Sequence, residues 1–275
     1  MKTKLKLRLN LFPYLVWMVF FVLVPLVLVI IFAFSNPEGR FTFENVFSAM
    51  RYSDVFSRSI MLGAISTTVC LVLGYPMAYF ISKIRVKFQN IFIMLLMIPM
   101  WTSFLLRTYA WMTILEYNGL LNKVISFFGF EKIKMINTPG AIVLGMVYNF
   151  LPYMILPIYT SLAKMDKRLI ESAEDLGANK LTVFMKVILP LSLSGVISGI
   201  TMVFVPSVST FVISKMLGGG AILVIGDLIE MQFLGNSYNP YLGSAISLVL
   251  MIIIMICMGI MNKLEDDYSD QNIVA

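Results

Sequence analysis

Long apolar runs, separated by short polar stretches, set the first constraint on this chain. Six blocks stand out: Leu11–Phe34, Ile60–Ser82, Ile91–Leu115, Gly140–Ala163, Ile188–Ile213 and Leu242–Met261. A helix rises about 1.5 Å per residue and the hydrocarbon layer is about 30 Å thick, so a span needs roughly 20 mostly apolar residues. Each block meets that length. The pattern predicts an all-α polytopic membrane protein with six transmembrane helices, read as one domain over residues 1–275. No internal repeat is visible.

The polar segments predict the orientation. The opening "MKTKLKLRLN" looks like the basic part of a secretion signal. The block after it is too long for a signal core and has no small-x-small cleavage site, so it reads as a retained first span. With both termini cytoplasmic, the inner segments hold 13 Lys and Arg and the outer segments seven. Inner loops carry the cation excess in membrane proteins. The short link "KIRVK", Lys83–Lys87, is the clearest marker. The net charge of +6 is then a signature of topology, and no nucleic-acid partner is expected.

Outside, Ser35–Ser59 and Glu116–Pro139 are apolar and aromatic enough to hold short interfacial helices. Ser214–Tyr241, with three glycines near its start, is too interrupted to span and reads as a re-entrant or interfacial hairpin. Pro99 and Pro206 lie inside spans three and five, where proline removes a helical hydrogen bond. Pro206 is either a structural kink or a broken helix at a substrate path. Ser207, Ser209 and Thr210 stand ready to satisfy the carbonyls it frees.

Composition narrows the chemistry. Hydrophobic residues make up 59% and charged residues 13%, against about 25% charged in a soluble domain. There is no histidine, and Cys70 and Cys257 both lie in apolar blocks, so neither a disulfide framework nor a Cys/His metal site is expected. "GANKLT" lacks the glycine and lysine spacing of a phosphate-binding loop. No Asp or Glu lies inside a predicted span, which argues against a proton relay. The chain is read as having no catalytic residues and no enzyme activity of its own.

One polar insert stands apart, the elbow at 164–187. Lys164–Gly177 reads as a short amphipathic helix capped by Asp166, with Met165, Leu169, Ala173 and Leu176 on one face. Gly177 ends it, and a second helix starts near Asn179 with Leu181, Phe184, Met185 and Ile188 on one face. Pro190 marks where that helix meets the membrane. A loop this small cannot bury its own apolar face. It is either an interfacial connector or the docking point of a partner. An interfacial helix on anionic lipid carries a basic polar face. Here Glu171, Glu174 and Asp175 stand together, which favours a partner.

The spacing has a family resemblance. Glu171-Ser172-Ala173, three residues, Gly177, nine residues, Val187, one residue, Leu189-Pro190 resembles the EAA motif of permease subunits in binding-protein-dependent ABC importers. Ser172 and Val187 replace alanine and isoleucine of the family pattern. "IPMWTSFLLRTYAW", "GMVYNFLPYMILPIYTSL" and "IGDLIEMQFL" are similar to PotB-type permeases of spermidine/putrescine importers. The resemblance implies the type I importer (MetI-like) fold and an elbow that couples to a separate ATPase. Leu169, Glu171, Ser172, Ala173, Leu176, Gly177 and Pro190 would form that coupling, with Glu171 facing a basic residue of the ATPase. It further implies a second, PotC-like permease, two PotA-like ATPase subunits that bind ATP and magnesium, a PotD-like external binding protein, and the lipid bilayer of the bacterial inner membrane as surroundings.

A polyamine site wants carboxylates for the ammonium ends and aromatic faces between them. Candidates are Trp101, Tyr109, Trp111, Glu116, Tyr148, Tyr153, Tyr159, Asp227 and Glu230. Each aromatic is alternatively part of an interfacial belt. Asp227 and Glu230, one helical turn apart, are alternatively a solvated outer face or a binding-protein contact. Arg107 is a charge inside span three, either snorkelling outward or paired with Glu116, Asp227 or Glu230 as a gating or structural element. The alternatives to a polyamine permease are the same class with another cargo, such as an iron complex, thiamine or another small solute, and an ion-coupled carrier or membrane enzyme.

Overall fold

The computed structural model describes residues 13–235 and 237–274, with backbone alone for 265–274. The basic N-terminal stretch and the first two residues of the first predicted span lie outside the described residues. The helices are α1 (Pro13–Ala33), α2 (Glu44–Met50), α3 (Ser53–Lys83), α4 (Val86–Trp101), α5 (Phe104–Leu115), α6 (Leu120–Phe127) and α7 (Pro139–Lys164). They continue with α8 (Lys167–Asp175), α9 (Lys180–Leu191), α10 (Leu193–Ser209), α11 (Val212–Leu217), α12 (Ile225–Leu234) and α13 (Pro240–Val274). A single bridge between Ser35 and Phe41 is the β-structure among the described residues. Among the described residues four helices, α1, α3, α7 and α13, are long and apolar enough to cross a membrane. Two bent pairs raise the number to six if each is one span.

The bends revise two of the predicted spans. The third is broken by 88° between α4 and the helices that follow Ser103. Pro99 lacks the N–H that would close its own turn. Thr102 then turns extended, and both its N–H and its hydroxyl bond the Pro99 carbonyl, at 3.2 and 2.7 Å. The fifth span bends by 59° at Ser192, while its helix continues through Pro206. A π-turn over Phe184–Ile188 precedes Pro190, as expected where a proline ring crowds the preceding turn. α10 runs through Pro206 and ends three residues on at Ser209, after which Thr210 is extended. Ser209 bonds the Val205 carbonyl at 3.0 Å, whereas the buried Ser207 hydroxyl has no partner, so neither satisfies the carbonyl that Pro206 frees. The Ser214–Tyr241 segment holds the short helices α11 and α12, joined through Gly219 and Gly220 at positive φ.

Contacts divide the chain into two compact units, one of residues 13–54 and 228–253, the other of 55–227 and from 254 onward. In the first, α1 buries only Ala33 at its end, and Phe32 meets Tyr241 edge-on at 5.7 Å. The Asn45 amide donates to the carbonyls of Ala33 and Ser35, and Phe34, Phe41 and Phe43 pack together beyond it.

The second unit is built around α7, which buries Ile142, Met146, Met154, Ile155 and Ile158. Its most extensive neighbour is α10. The approach is close because two glycines face it. A Cβ at Gly195 would sit 2.7 Å from the Pro157 carbonyl, and one at Gly199 would sit 2.9 Å from Met154 Sδ. Gly195 and Gly199 form the small-xxx-small spacing that lets helix backbones touch in a membrane. That signal is visible in the sequence and stands outside the apolar-block reading above.

Candidate functional site: a capped elbow between two grooves

The elbow is assembled from local rules. α7 ends at Lys164, Met165 is extended, and Asp166 Oδ1 accepts the Arg168 N–H at 3.0 Å to start α8. That bond satisfies one of the four open amides of a helix start. At the far end the Ala178 N–H reaches back to the Ala173 carbonyl at 3.1 Å, and the Gly177 N–H to that of Glu174 at 2.9 Å. This pair is a Schellman motif, and it requires the positive φ of 81° that Gly177 adopts. The Asn179 side chain then caps α9 through the Thr182 N–H at 2.8 Å. Two stiff helices are thus joined at a sharp bend of defined geometry.

The predicted apolar face of α8 divides in two. Met165, Ile170 and Ala173 are half-buried and pack on the core of the larger unit. Leu169 is 49% exposed and Leu176 90% exposed, so they form a separate, uncovered apolar edge. Glu171, Ser172, Glu174 and Asp175 are also exposed. Ile170, absent from the sequence-based set, anchors the helix. Its spacing of three from Ala173 was the available signal.

α8 lies between two grooves. One, of about 740 Å³, runs between α7 and α10 and is lined by Tyr153, Thr160, Ser161, Ser194, Gly195 and Met202, then by Asp166 and Leu169 at the elbow. The other, of about 630 Å³, separates α8 from the α3–α4 turn. It is lined by Lys83, Arg85 and Gln89 on one side and by Lys167, Ile170, Glu171 and Glu174 on the other.

The remaining candidates fall in several places. Trp111 and Tyr148 meet at 5.3 Å, ring edge toward ring face, while Tyr109 and Trp101 are exposed. Tyr153 opens on the α7–α10 groove, but Tyr159 does not; its hydroxyl donates to Gln89 Oε1 at 3.0 Å. Glu116 is exposed at the end of α5. Asp227 is not on a solvated face. It is buried, and its carboxylate accepts the Ser214 hydroxyl at 2.9 Å and the Val224 N–H at 3.2 Å. It therefore closes the loop between α11 and α12. Glu230 is half-buried. Arg107 is half-buried too, and its Nε has no hydrogen-bond partner. Both cysteines are free, and no cluster of three metal-ligating side chains occurs among the described residues.

Comparison with known proteins agrees with this architecture. Residues 70–267 match the family described as "Binding-protein-dependent transport system inner membrane component". The chain is 37% identical over 247 residues to the spermidine/putrescine transport system permease protein PotB of Haemophilus influenzae, covering 86% of each chain. It is 36% identical over 255 residues to that of Escherichia coli K12, covering 89% of this chain and 91% of the other. A chain of a bacterial ABC transporter that imports the acidic polysaccharide alginate superposes with a TM-score of 0.82 at 14% identity, covering 97% of this chain and 96% of that one. The protein therefore belongs to the family of inner membrane components of binding-protein-dependent transport systems.

Proposed function

We propose that this chain is a permease subunit of an ATP-driven importer of polyamines, spermidine or putrescine. It lines half of the translocation path and has no catalytic activity of its own. The single observation that carries the mechanism is the α7–α10 groove, which runs without interruption from Tyr153 to Leu169 on α8. A motion of α8 acts directly on the helices that wall the groove. The polyamine cargo is supported by identities of 36–37% to PotB proteins across most of the chain.

In this reading an ATPase, with its ATP and magnesium, grips the uncovered edge of Leu169 and Leu176, and Glu171 meets a cation of its surface. Gly177 and the two caps keep the elbow stiff, so closure of the ATPase dimer rocks α7 and α10 and exposes the path to alternate sides. The assembly comprises a PotC-like second permease, two PotA-like ATPases and a PotD-like binding protein. Both termini and the elbow face the cytoplasm, with Lys83, Arg85 and Lys87 on the same side. Tyr153 and Met202 stand beside the cargo in the groove, and Trp111 with Tyr148 is an aromatic pair outside its lining.

The test is reconstitution of the four components in proteoliposomes with ATP inside and radiolabelled spermidine or putrescine outside. Uptake is expected only with the binding protein and ATP both present. Uptake without the ATPase would overturn the reading, and ATP-dependent uptake of a different solute would overturn the cargo alone.

A further inference from the structure

α4 reverses the usual rule of burial. It is an apolar helix whose one buried side chain is an amide, Gln89. A buried polar group is costly unless its bonds are made. Gln89 makes three of them. Its Nε2 donates to the Ser82 carbonyl at 3.1 Å and the Ile84 carbonyl at 2.8 Å, and its Oε1 accepts from the Tyr159 hydroxyl at 3.0 Å. Ser82 and Ile84 lie at the C-terminus of α3, where the last carbonyls of a helix lack partners within it. One side chain thus caps α3 from the start of α4 and ties both to α7. A methionine of similar length would fill the space without polar atoms, so what the amide adds is a fixed geometry rather than burial.

The position of this tie matters. Tyr159 lies five residues before the end of α7, about 7.5 Å along the helix. α8 starts just beyond, after Met165. Gln89 also lines the groove of about 630 Å³ whose opposite wall is α8. At this level a cavity separates α8 from the α3–α4 turn, whereas Phe184 of α9 packs edge-on against Tyr75 and Tyr79 of α3. Force entering α8 reaches α7 through Met165. At the cytoplasmic end of α7 in the proposed orientation it crosses to the α3–α4 turn through the Gln89–Tyr159 bond, beside the packing of Gly74 on Met154 and of Tyr79 on Phe184 further along α3.

We infer that Gln89 is a positioning residue for energy coupling: with Tyr159 it makes the α3–α4 turn move with α7 when α8 is displaced. The inference rests on the importer reading above. Without the bond, the α3–α4 turn follows α7 less closely at this end, although Gly74 of α3 still packs on Met154 and Ile155 further along, and more ATP is hydrolysed without the matching rearrangement of the path.

The assembled transporter in proteoliposomes tests this with Tyr159→Phe, which removes only the link to α7, and Gln89→Met, which removes the cap as well. Uptake and ATP hydrolysis are measured in the same vesicles. Both variants are expected to assemble in normal amounts and to hydrolyse more ATP without loaded binding protein. Polyamine taken up per ATP is expected to fall about threefold or more, the scale of mutations along a coupling network. The double variant should be no worse than the more severe single one, since both break the same bond. An unchanged ratio of uptake to ATP, or a loss that tracks the amount of complex, overturns the inference. If the wild type shows no binding-protein-stimulated hydrolysis, the importer reading fails instead. The clamp is then judged by amide exchange in residues 82–86 of the isolated chain. Faster exchange in Gln89→Met supports it, and unchanged exchange overturns it.

Discussion

At the scale of single residues, backbone geometry and buried hydrogen bonds decide what each position tolerates. Gly177 has no atom near its would-be Cβ, so the constraint there is purely its φ of 81°. A β-carbon in the left-handed region costs about 1–2 kcal/mol, which asparagine bears best. Gly177→Val is therefore expected to abolish polyamine uptake while the chain still inserts, with Gly177→Asn keeping most of it. Uptake beside an immunoblot of membranes checks both. Asp227 is the opposite case, a polar group with its oxygens occupied. Asp227→Ala leaves the Ser214 hydroxyl and the Val224 amide without that acceptor, at about 1–3 kcal/mol. The expected outcome is a lower melting temperature in detergent, and a smaller loss for Asp227→Asn. A cargo-binding role would instead lower uptake with no change in melting.

At the scale of elements, the seam between two helices matters most. α7 and α10 touch through Gly195 and Gly199, and in the proposed mechanism the tightness of that seam passes motion from α8 to both. Overpacking such a seam costs roughly 1–3 kcal/mol. Gly195→Leu is expected to lower the melting temperature the most, because the atom it meets is backbone. Gly199→Leu first meets the flexible Met154 sulfur, with the Met154 carbonyl further off at 3.1 Å, and should cost less, and Gly259→Leu, with open space around it, should cost nothing. Thermal unfolding followed by tryptophan fluorescence ranks the three. The elbow itself was largely legible from sequence. Asp166, Gly177 and Asn179 are short-range signals whose partners lie within five residues, and the caps form where those residues stand. The burial of α8 was less legible, because which of Leu169, Ile170 and Ala173 meets the core depends on where α7 and α9 place the helix.

For the whole molecule, the proposed orientation makes two predictions and the proposed assembly a third. A fluorescent protein fused after residue 275 is expected to fluoresce, as it does only when it folds in the cytoplasm. Replacing Lys83, Arg85 and Lys87 together by glutamate should lower the fraction of correctly inserted chain, read from the same fusion. In the isolated chain a protease should cut the exposed stretch around Arg168 and Leu176. In the complete complex with its ATPase the same stretch should be protected. Equal cutting in both states would remove the grip on which energy transfer depends.

The sequence by itself determined the apolar blocks, and with them a helical membrane protein. It also determined the elbow, its caps and the motif spacing that marks the family. These follow from contacts within a few residues or from transfer of side chains into hydrocarbon, which each segment settles alone. Only the tertiary structure decided that the third span breaks by 88° after Trp101 and that the fifth turns by 59° at Ser192. It also decided that Asp227 is buried, and that Tyr159 holds Gln89 rather than facing the groove. Pro99 and Pro190 supply a local weakness at the two bends, but how far each helix turns there, and which partner a buried polar group finds, depends on which helices are neighbours.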